Sequence, residues 1–294
     1  AFALMQSGLF SEMVLIDADT KRAEGEAMDI SHGISFARPM QIYAGNYDDI
    51  TDAAIIVITA GANQKPDETR LDLIKKNAAI MKSIVGEIKK RDFGGILLIV
   101  SNPVDILTLI ALKESGYPSN RVIGSGTVLD TGRFKYLLGE HLDVDSRSVH
   151  AFIIGEHGDS ELAAWSSATV SGVPINTFCE MRGHFNHDEA TERIAENVKN
   201  SAYEIIAKKK ATYFGVAMAV RRICEAIIRD EKSILPVSNL MHGEFGISDI
   251  SLSMPAIVGA HGVENRIPIT LDEEETEKLQ SSAGTLKKII EEVL

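Results

Sequence analysis

The side chain best suited to move a proton in this sequence is His157, in the segment IGEHGDSE at 154–161. An imidazole changes its charge near neutral pH, so it can donate a proton to a reacting oxygen and take one back. It also needs an orienting acceptor, and a neighbouring carboxylate serves this purpose while favouring the protonated ring. A lone histidine between glycines is more often a turn residue, and the segment alone leaves that alternative open.

The segment LDTGR at 129–133 offers a carboxylate, Asp130, and three residues later a guanidinium, Arg133. A planar guanidinium can hold a carboxylate through two parallel hydrogen bonds. The same spacing also suits a plain ion pair on a helix surface. By itself, LDTGR does not separate a binding role from a structural one.

Asp17 ends an apolar run in VLIDAD. In dinucleotide-binding folds an acid at the tip of the second strand accepts hydrogen bonds from the adenosine ribose. Its charge would repel a 2′-phosphate, so NAD is favoured over NADP. The alternative is that Asp17 only caps a turn.

The glycine-rich turn GxGxxG that should precede such an acid by roughly 20 to 30 residues does not occur in this sequence. The sequence opens instead on a helix-like segment, AFALMQSGLFSE. We therefore expect the given chain to lack the first strand and the glycine-rich loop at its amino end. A protein built without this loop, which binds no cofactor, is the competing interpretation.

The elements that must position these residues follow from the hydrophobic pattern. Short apolar runs alternate with helical patterns in the first half, which predicts right-handed crossovers and an α/β fold with a doubly wound parallel sheet. The runs lie at 13–16, 53–59, 96–100 and 121–124, and the helical patterns at 69–90 and 105–115.

From about residue 147 the pattern changes, which predicts a second, α+β lobe. It contains a strand-like segment, a long helix at 191–230, turn-separated strands at 233–269, and a helix from 272 to 294 that Asp272 and Glu275 would cap. We expect an NAD-binding domain at 1–146 and a substrate or catalytic domain at 147–294.

Composition excludes several classes of function. The net charge of -12 argues against a nucleic-acid binder, because phosphate affinity needs a surplus of lysine and arginine. No apolar run is long enough to cross a bilayer, so we expect a cytoplasmic protein without a membrane partner. The two cysteines, Cys179 and Cys224, lack metal-ligand spacing, which predicts buried thiols and no metal site.

Four segments together resemble the lactate and malate dehydrogenase family over essentially the whole chain. They are TAGANQKPDETR at 59–70, VSNPVD at 100–105, LDTGR at 129–133 and IGEHGDSE at 154–161. The order and spacing of all four make the resemblance specific. GANQKP followed by ETR, together with the later KATYFG, is most similar to the lactate-specific bacterial members.

The resemblance implies a catalytic set of His157, Asp130 and Arg70. His157 would be the general acid in pyruvate reduction and the base in lactate oxidation, with Asp130 as its partner. Arg70 would move in with a loop and polarise the substrate carbonyl. Its alternative reading is a solvated residue in the first turn of a helix.

The resemblance also implies the residues that contact substrate and cofactor. The substrate would meet Gln64, Arg70, Asn102, Asp130, Arg133 and Thr212, with Arg133 on its carboxylate. NAD would meet Asp17, Arg22, Tyr47, Gly61, Ala62, Val100, Ser101, Asn102 and Ser125.

Substrate choice depends on Gln64. Malate-type enzymes carry arginine at this position because oxaloacetate has a second carboxylate, whereas Gln64 supplies no charge and favours pyruvate. Malate or another 2-hydroxy acid stays an alternative, as does a structural relative without activity. Asp67 departs from the family's usual glycine, which predicts altered loop closure.

Regulation and assembly follow from the resemblance alone. Lys135 and His150 match positions that hold the phosphates of fructose 1,6-bisphosphate across a subunit interface, so we expect an allosteric enzyme and a homotetramer. Lysine replaces the family's usual arginine, which predicts weaker activation. An exposed lysine and a strand histidine without a ligand are the alternative. Glycolysis and fermentation are the expected setting.

Overall fold

The computed structural model describes residues 1–62 and 68–293. Its strands are β1 (Glu12–Leu15), β2 (Gln41–Ala44), β3 (Ile55–Ile58), β4 (Ile96–Ile99), β5 (Val122–Gly124), β6 (Val149–His150), β7 (Ile153–Ile154), β8 (Leu162–Ala163), β9 (Thr169–Val170), β10 (Val173–Pro174), β11 (Ser233–His242), β12 (Ser248–Gly259) and β13 (Gly262–Arg266). Its helices are α1 (Phe2–Ser7), α2 (Thr20–His32), α3 (Arg70–Lys89), α4 (Val104–Ser115), α5 (Val128–Leu142), α6 (Ile175–Met181), α7 (His187–Lys209), α8 (Phe214–Ile228) and α9 (Glu273–Val293).

The parallel strands of the amino-terminal half form two groups. β3, β4 and β5 are parallel neighbours, with Ile55 opposite Ile96 and Leu98 opposite Ile123. β1 and β2 form a separate parallel pair. Each strand is followed by a helix or a helical turn, so the predicted α/β crossovers are confirmed.

Strands from the carboxyl-terminal half extend the sheet that β3 to β5 begin. β11 pairs antiparallel with β5 at Ser238 and Gly124, and β12 and β13 follow. The two halves of the chain therefore share one six-stranded sheet, in the order β13, β12, β11, β5, β4, β3.

Both faces of this sheet are buried, as a doubly wound sheet requires. Along β4, Leu97 and Ile99 pack under α3, α4 and α9, whereas Ile96 and Leu98 pack under α8. This alternation follows from the two-residue period of a strand. All four side chains are at most 4% exposed, so the strand is held from both sides and its carboxyl end is a fixed platform.

A second apolar cluster joins α5 to the carboxyl-terminal half. Phe134 and Leu138 of α5 are almost fully buried against Ile153 of β7, Val170 of β9 and Val198 of α7. α5 is thus rigidly tied to the segment that contains His157.

The prediction of one helix over 191–230 is wrong, because the chain forms α7 and α8 with a break between them. Lys210 adopts a left-handed conformation at φ 70° and caps α7, and its N–H is donated to the carbonyl of Ile206 at 2.8 Å. A left-handed residue ends a helix, but this position carries neither glycine nor proline to mark it in the sequence. The break places Thr212 in a short connection.

Two smaller predictions are confirmed. The N–H of Glu275 is donated to Asp272 Oδ1 at 2.8 Å and that of Asp272 to Glu275 Oε2 at 3.2 Å, which makes the expected capping box of α9. Cys179 and Cys224 are buried free thiols, and burial raises the pKa of Cys224 to about 12. None of the described helices combines the length and apolar character needed to span a bilayer.

Candidate active site

A single buried carboxylate holds two of the predicted site residues. Asp130 lies in the first turn of α5 and is 2% exposed. Its Oδ2 lies 2.6 Å from His157 Nδ1, and its Oδ1 accepts a hydrogen bond of 2.8 Å from Arg133 Nη1. The ion pair of Asp130 and Arg133, given above as the alternative to a binding role, therefore exists, but its carboxylate is buried and also holds His157, so it is not a plain pair on a helix surface.

This arrangement fixes the charge of the imidazole. Burial, the largest influence, lowers the pKa of His157, but the hydrogen bond and charge of Asp130, helped by the charges of Asp105 and Glu161, raise it to about 9. His157 is therefore a protonated ring at neutral pH. Because Nδ1 faces Asp130, Nε2 is the nitrogen that can deliver a proton to a ligand.

The loop that carries His157 is anchored to β12 and α4. Gly155, at φ 90°, exchanges two backbone hydrogen bonds with Ser253 of β12, of 2.9 and 3.0 Å. The backbone N–H of His157 is donated to Asp105 Oδ2 at 2.7 Å. A positive φ suits glycine, so residue 155 makes the turn that aims His157 at Asp130.

Asp105, the last residue of VSNPVD, contacts the His157 loop in a way that the sequence did not predict. Its Oδ1 accepts hydrogen bonds from Ser238 of β11 at 2.6 Å and from Ser253 of β12 at 3.4 Å. Burial raises the pKa of Asp105 to about 6, against the lowering effect of Ser238 and of the His157 N–H. Asp105 is charged above this pH, and its charge favours the protonated imidazole.

The same loop is held from its other side by α9. Ser282 Oγ accepts the N–H of Glu156 at 3.2 Å and lies 2.8 Å from Ser160 Oγ, while Ser160 also donates to the carboxylate of Glu156. Glu156 is 5% exposed. The carboxyl-terminal helix therefore contributes to the position of His157 without touching it.

Arg70 approaches this loop from α3. It is the first residue of the helix, which Thr69 and Asp72 cap reciprocally. Arg70 Nη1 donates to Asp159 Oδ2 at 2.9 Å, and Tyr203 Oη donates to Asp159 Oδ1 at 3.0 Å. The structure thus brings Arg70 beside the His157 segment, with 61% of its side chain exposed.

Two further substrate candidates lie at the edges of this space. Asn102 follows β4, and its carbonyl accepts a hydrogen bond of 3.0 Å from Asn77 Nδ2. Thr212 is half-buried in the connection between α7 and α8. The start of α8, which follows that connection, lies against α5, since a Cβ at Gly215 would lie 2.8 Å from Leu129. Gln64 and Asp67 lie outside the described residues.

Most of the predicted cofactor residues directly follow the carboxyl ends of parallel strands. Asp17 follows β1, Gly61 and Ala62 follow β3, Val100 and Ser101 follow β4, and Ser125 follows β5. Carboxyl ends of parallel strands form the ligand-binding crevice of open α/β sheets.

The side chain of Asp17 is suited to binding a ribose. Asp17 is exposed, its Oδ1 accepts the N–H of Asp19 at 2.9 Å, and its Oδ2 has no partner among the described residues. A carboxylate with a free oxygen can accept ribose hydroxyls, and no ion pair with a described cation competes for it. Arg22 stands on the first turn of α2, directly after it.

Tyr47 and the two effector candidates lie elsewhere. Arg91 lies 5.4 Å above the Tyr47 ring, which packs on the main core cluster. Lys135 is half-buried on α5, and burial lowers its pKa. His150 is exposed on β6 opposite Thr169.

Comparison with known proteins identifies relatives of this arrangement. Residues 1–124 match the family described as "lactate/malate dehydrogenase, NAD binding domain", and residues 127–294 match its "alpha/beta C-terminal domain". The chain is 54% identical over 290 residues to an L-lactate dehydrogenase of Acetivibrio thermocellus, covering 99% of this chain and 92% of that protein.

Other relatives agree. The chain is 52% identical to L-lactate dehydrogenase 1 of Clostridium acetobutylicum, covering 99% of this chain and 93% of that protein. Its fold is similar to that of a minor L-lactate dehydrogenase of Enterococcus mundtii solved in a ligand-bound form. The TM-score is 0.97 at 44% identity, covering 100% of this chain and 93% of the other.

The position of Asp105 generates a testable prediction. In Asp105→Asn the amide oxygen can still accept the His157 N–H, but the charge is lost, so the pKa of His157 should fall. The alkaline limb of the pH profile of kcat/KM should therefore move to lower pH. In Asp105→Leu the buried N–H loses its acceptor, at a cost of about 1–3 kcal/mol in the free energy of unfolding, and turnover should also drop.

Ser238→Ala is the matched control, because it removes a hydrogen bond to Asp105 without touching His157. It should leave the alkaline limb nearly in place. A profile of Asp105→Asn that superimposes on the parent would show that Asp105 has no electrostatic effect on the imidazole.

Proposed function

Because the chain belongs to the lactate/malate dehydrogenase family, we propose that it catalyses the NAD-dependent, reversible interconversion of pyruvate and L-lactate. The observation that carries the proposal is the buried Asp130, shared between a protonated imidazole and a guanidinium. A proton donor and a carboxylate-binding cation held by one anion are what the reduction of a small 2-oxo acid requires.

Bound NADH would supply a hydride to the carbonyl carbon of pyruvate. Residues such as Asp17, Ser101 and Ser125, at the carboxyl ends of the strands, would hold the NADH. The amino-terminal half, residues 1–146 in our division, would carry this cofactor, and residues 147–294 most of the substrate site.

His157 would donate the proton. Its Nε2–H passes to the carbonyl oxygen, Asp130 stabilises the charged ring beforehand, and solvent restores the proton afterwards. In lactate oxidation the neutral ring accepts the hydroxyl proton instead. Because the pKa of His157 is about 9, the protonated enzyme that reduces pyruvate is the dominant form at neutral pH.

Arginine side chains would bind and polarise the substrate. Arg133 uses Nη1 for Asp130, while its Nε and Nη2 donate to no described residue and remain for the substrate carboxylate. Arg70 would have to break its hydrogen bond with Asp159 to reach the carbonyl oxygen. Until then Asp159, itself held by Tyr203, would keep Arg70 beside the site. Asn102 and Thr212 would bound the remaining space.

The proposal predicts that His157→Asn loses about two to four orders of magnitude in pyruvate-dependent oxidation of NADH. The asparagine cannot donate a proton, whereas the cofactor contacts lie elsewhere. NADH affinity, measured by fluorescence titration, should therefore stay near the parental value. His261→Asn, an exposed histidine remote from the site, is the control and should keep full turnover. Near-parental turnover of His157→Asn would refute the assignment, and a parent that does not reduce pyruvate would favour the inactive relative.

Substrate choice is tested at Gln64. Gln64→Arg would place a cation over the methyl group of pyruvate and offer that cation to the second carboxylate of oxaloacetate. Each 1.4 kcal/mol changes relative kcat/KM about tenfold, and both effects act in one direction. The ratio of kcat/KM for the two acids should therefore swing by several orders of magnitude.

Gln41→Arg, an exposed position on β2, controls for the added charge and should leave the ratio unchanged. A shift of less than about tenfold in Gln64→Arg would mean that this side chain does not face the substrate. That result would favour the alternative of malate dehydrogenase activity.

An effector site is a further part of the proposal. Lys135 and His150 would bind the phosphates of fructose 1,6-bisphosphate between subunits of a homotetramer in the cytoplasm. Lys135 supports this because it makes no ion pair with a described acid and its charge is available. We expect the effector to lower the KM for pyruvate in the parent and less so in Lys135→Ala. Saturation curves unchanged by millimolar effector at several pH values would count against the site.

A further inference from the structure

Glu161 is a third titratable group in the pocket of His157 and Asp130. One carboxylate oxygen of Asp130, one of Glu161 and a ring nitrogen of His157 all lie within 4.8 Å of one another. Both oxygens of Asp130 are occupied by His157 and Arg133. The Glu161 carboxyl, in contrast, makes no hydrogen bond or ion pair with residues 1–62 or 68–293.

The charges around Glu161 come from three elements. Asp130 and Arg133 face it from α5, His157 from its own loop, and Lys199 and Tyr203 from α7. His157 and Arg133 are positive and Asp130 is negative, so these three side chains, which we call the inner pocket, together carry one excess positive charge before Glu161 is counted. Asp105 lies outside this set, on the backbone side of His157. Lys199 is exposed, and solvent screens it.

A 2-oxo acid substrate is a monoanion, so it needs that one excess charge. If Glu161 is ionised the pocket is already neutral, and a second anion must enter against a nearby carboxylate. If Glu161 is protonated, the substrate carboxylate completes the charge balance. Two anions in a half-buried pocket repel far more strongly than they do in water.

We propose that Glu161 sets the affinity for the substrate anion. When the anion binds to protein in which Glu161 is ionised, the Glu161 carboxylate takes up a proton from solvent. Pyruvate, one proton and the Glu161 carboxylate give bound pyruvate and a neutral carboxylic acid, so charge and protons balance. The inference rests on the proposed function, because it needs an anionic substrate at Arg133 and His157.

The protonation equilibrium supports this role. Burial, followed by the charge of Asp130, raises the pKa of Glu161 to about 8, although His157, Arg133 and Lys199 lower it. The carboxyl is therefore mostly neutral at pH 7 and mostly ionised at pH 9. The affinity for the anion should therefore begin to fall as Glu161 ionises.

The test is the dissociation constant of oxamate, a pyruvate analogue that cannot be reduced, for the NADH-loaded protein between pH 6 and pH 10. In the parent the constant should rise about tenfold per pH unit above pH 8 and more steeply above pH 9, as two protons are lost. In Glu161→Gln it should stay flat until the imidazole titrates and never rise more than about tenfold per unit. Glu277→Gln, an exposed carboxylate on α9, should follow the parent.

Proton uptake on binding gives a second readout. Calorimetry of oxamate binding at pH 8 in buffers of different ionisation enthalpy should show uptake of about half a proton by the parent, as the pKa of Glu161 implies. Most of this uptake should disappear in Glu161→Gln.

The two hypotheses fail differently. A parent that turns over pyruvate but shows neither uptake at pH 8 nor a changed profile in Glu161→Gln would overturn the role of Glu161 alone. A parent that neither reduces pyruvate nor binds oxamate would overturn the proposed function and this inference with it.

Discussion

The buried Asp130 carboxylate is the constraint on which the site depends. A charge with 2% exposure is stable only if its oxygens are satisfied, and here an imidazole occupies one and a guanidinium the other. Loss of either cation would leave one of these buried oxygens without its partner. The protonated state of His157 and the orientation of Arg133 thus both depend on the Asp130 carboxylate. Asp130 lies on α5, the helix that joins the two halves of the chain.

The surrounding fold fixes the positions of Asp130 and His157 relative to each other. α5 is locked to the carboxyl-terminal half by Phe134 and Leu138, so Asp130 cannot move away from the loop. On the other side, Asp105 holds the backbone of His157 and Ser282 holds that of Glu156. The six-stranded sheet contains strands from both halves, and the His157 loop is hydrogen-bonded to α4 through Asp105 and to β12 through Ser253. Arg70, by contrast, is 61% exposed and contacts the loop through its ion pair with Asp159.

The sequence predicted the fold class and the pair of His157 and Asp130, because both leave local signals. The fold class shows in alternating apolar runs, and the pair in motifs with recognisable residue types. It did not predict the roles of Asp105 and Glu161. The hydroxyl groups that satisfy Asp105 come from residues 133 and 148 positions away, and no local pattern reports such contacts. The break at Lys210 was missed for a related reason, since a lysine in a left-handed conformation looks like any helical lysine. Nor does a strand's sequence say which sheet it joins, as β11 illustrates.

Asp130 keeps the His157 ring protonated at neutral pH. NMR titration of the histidine rings, with the His157 signal assigned by its absence in His157→Gln, measures this directly in the parent and in Asp130→Asn. We expect the pKa of His157 to be about 9 in the parent and at least about one pH unit lower in the variant. A His157 ring that titrates near the ordinary value of 6.5 in both proteins would contradict it.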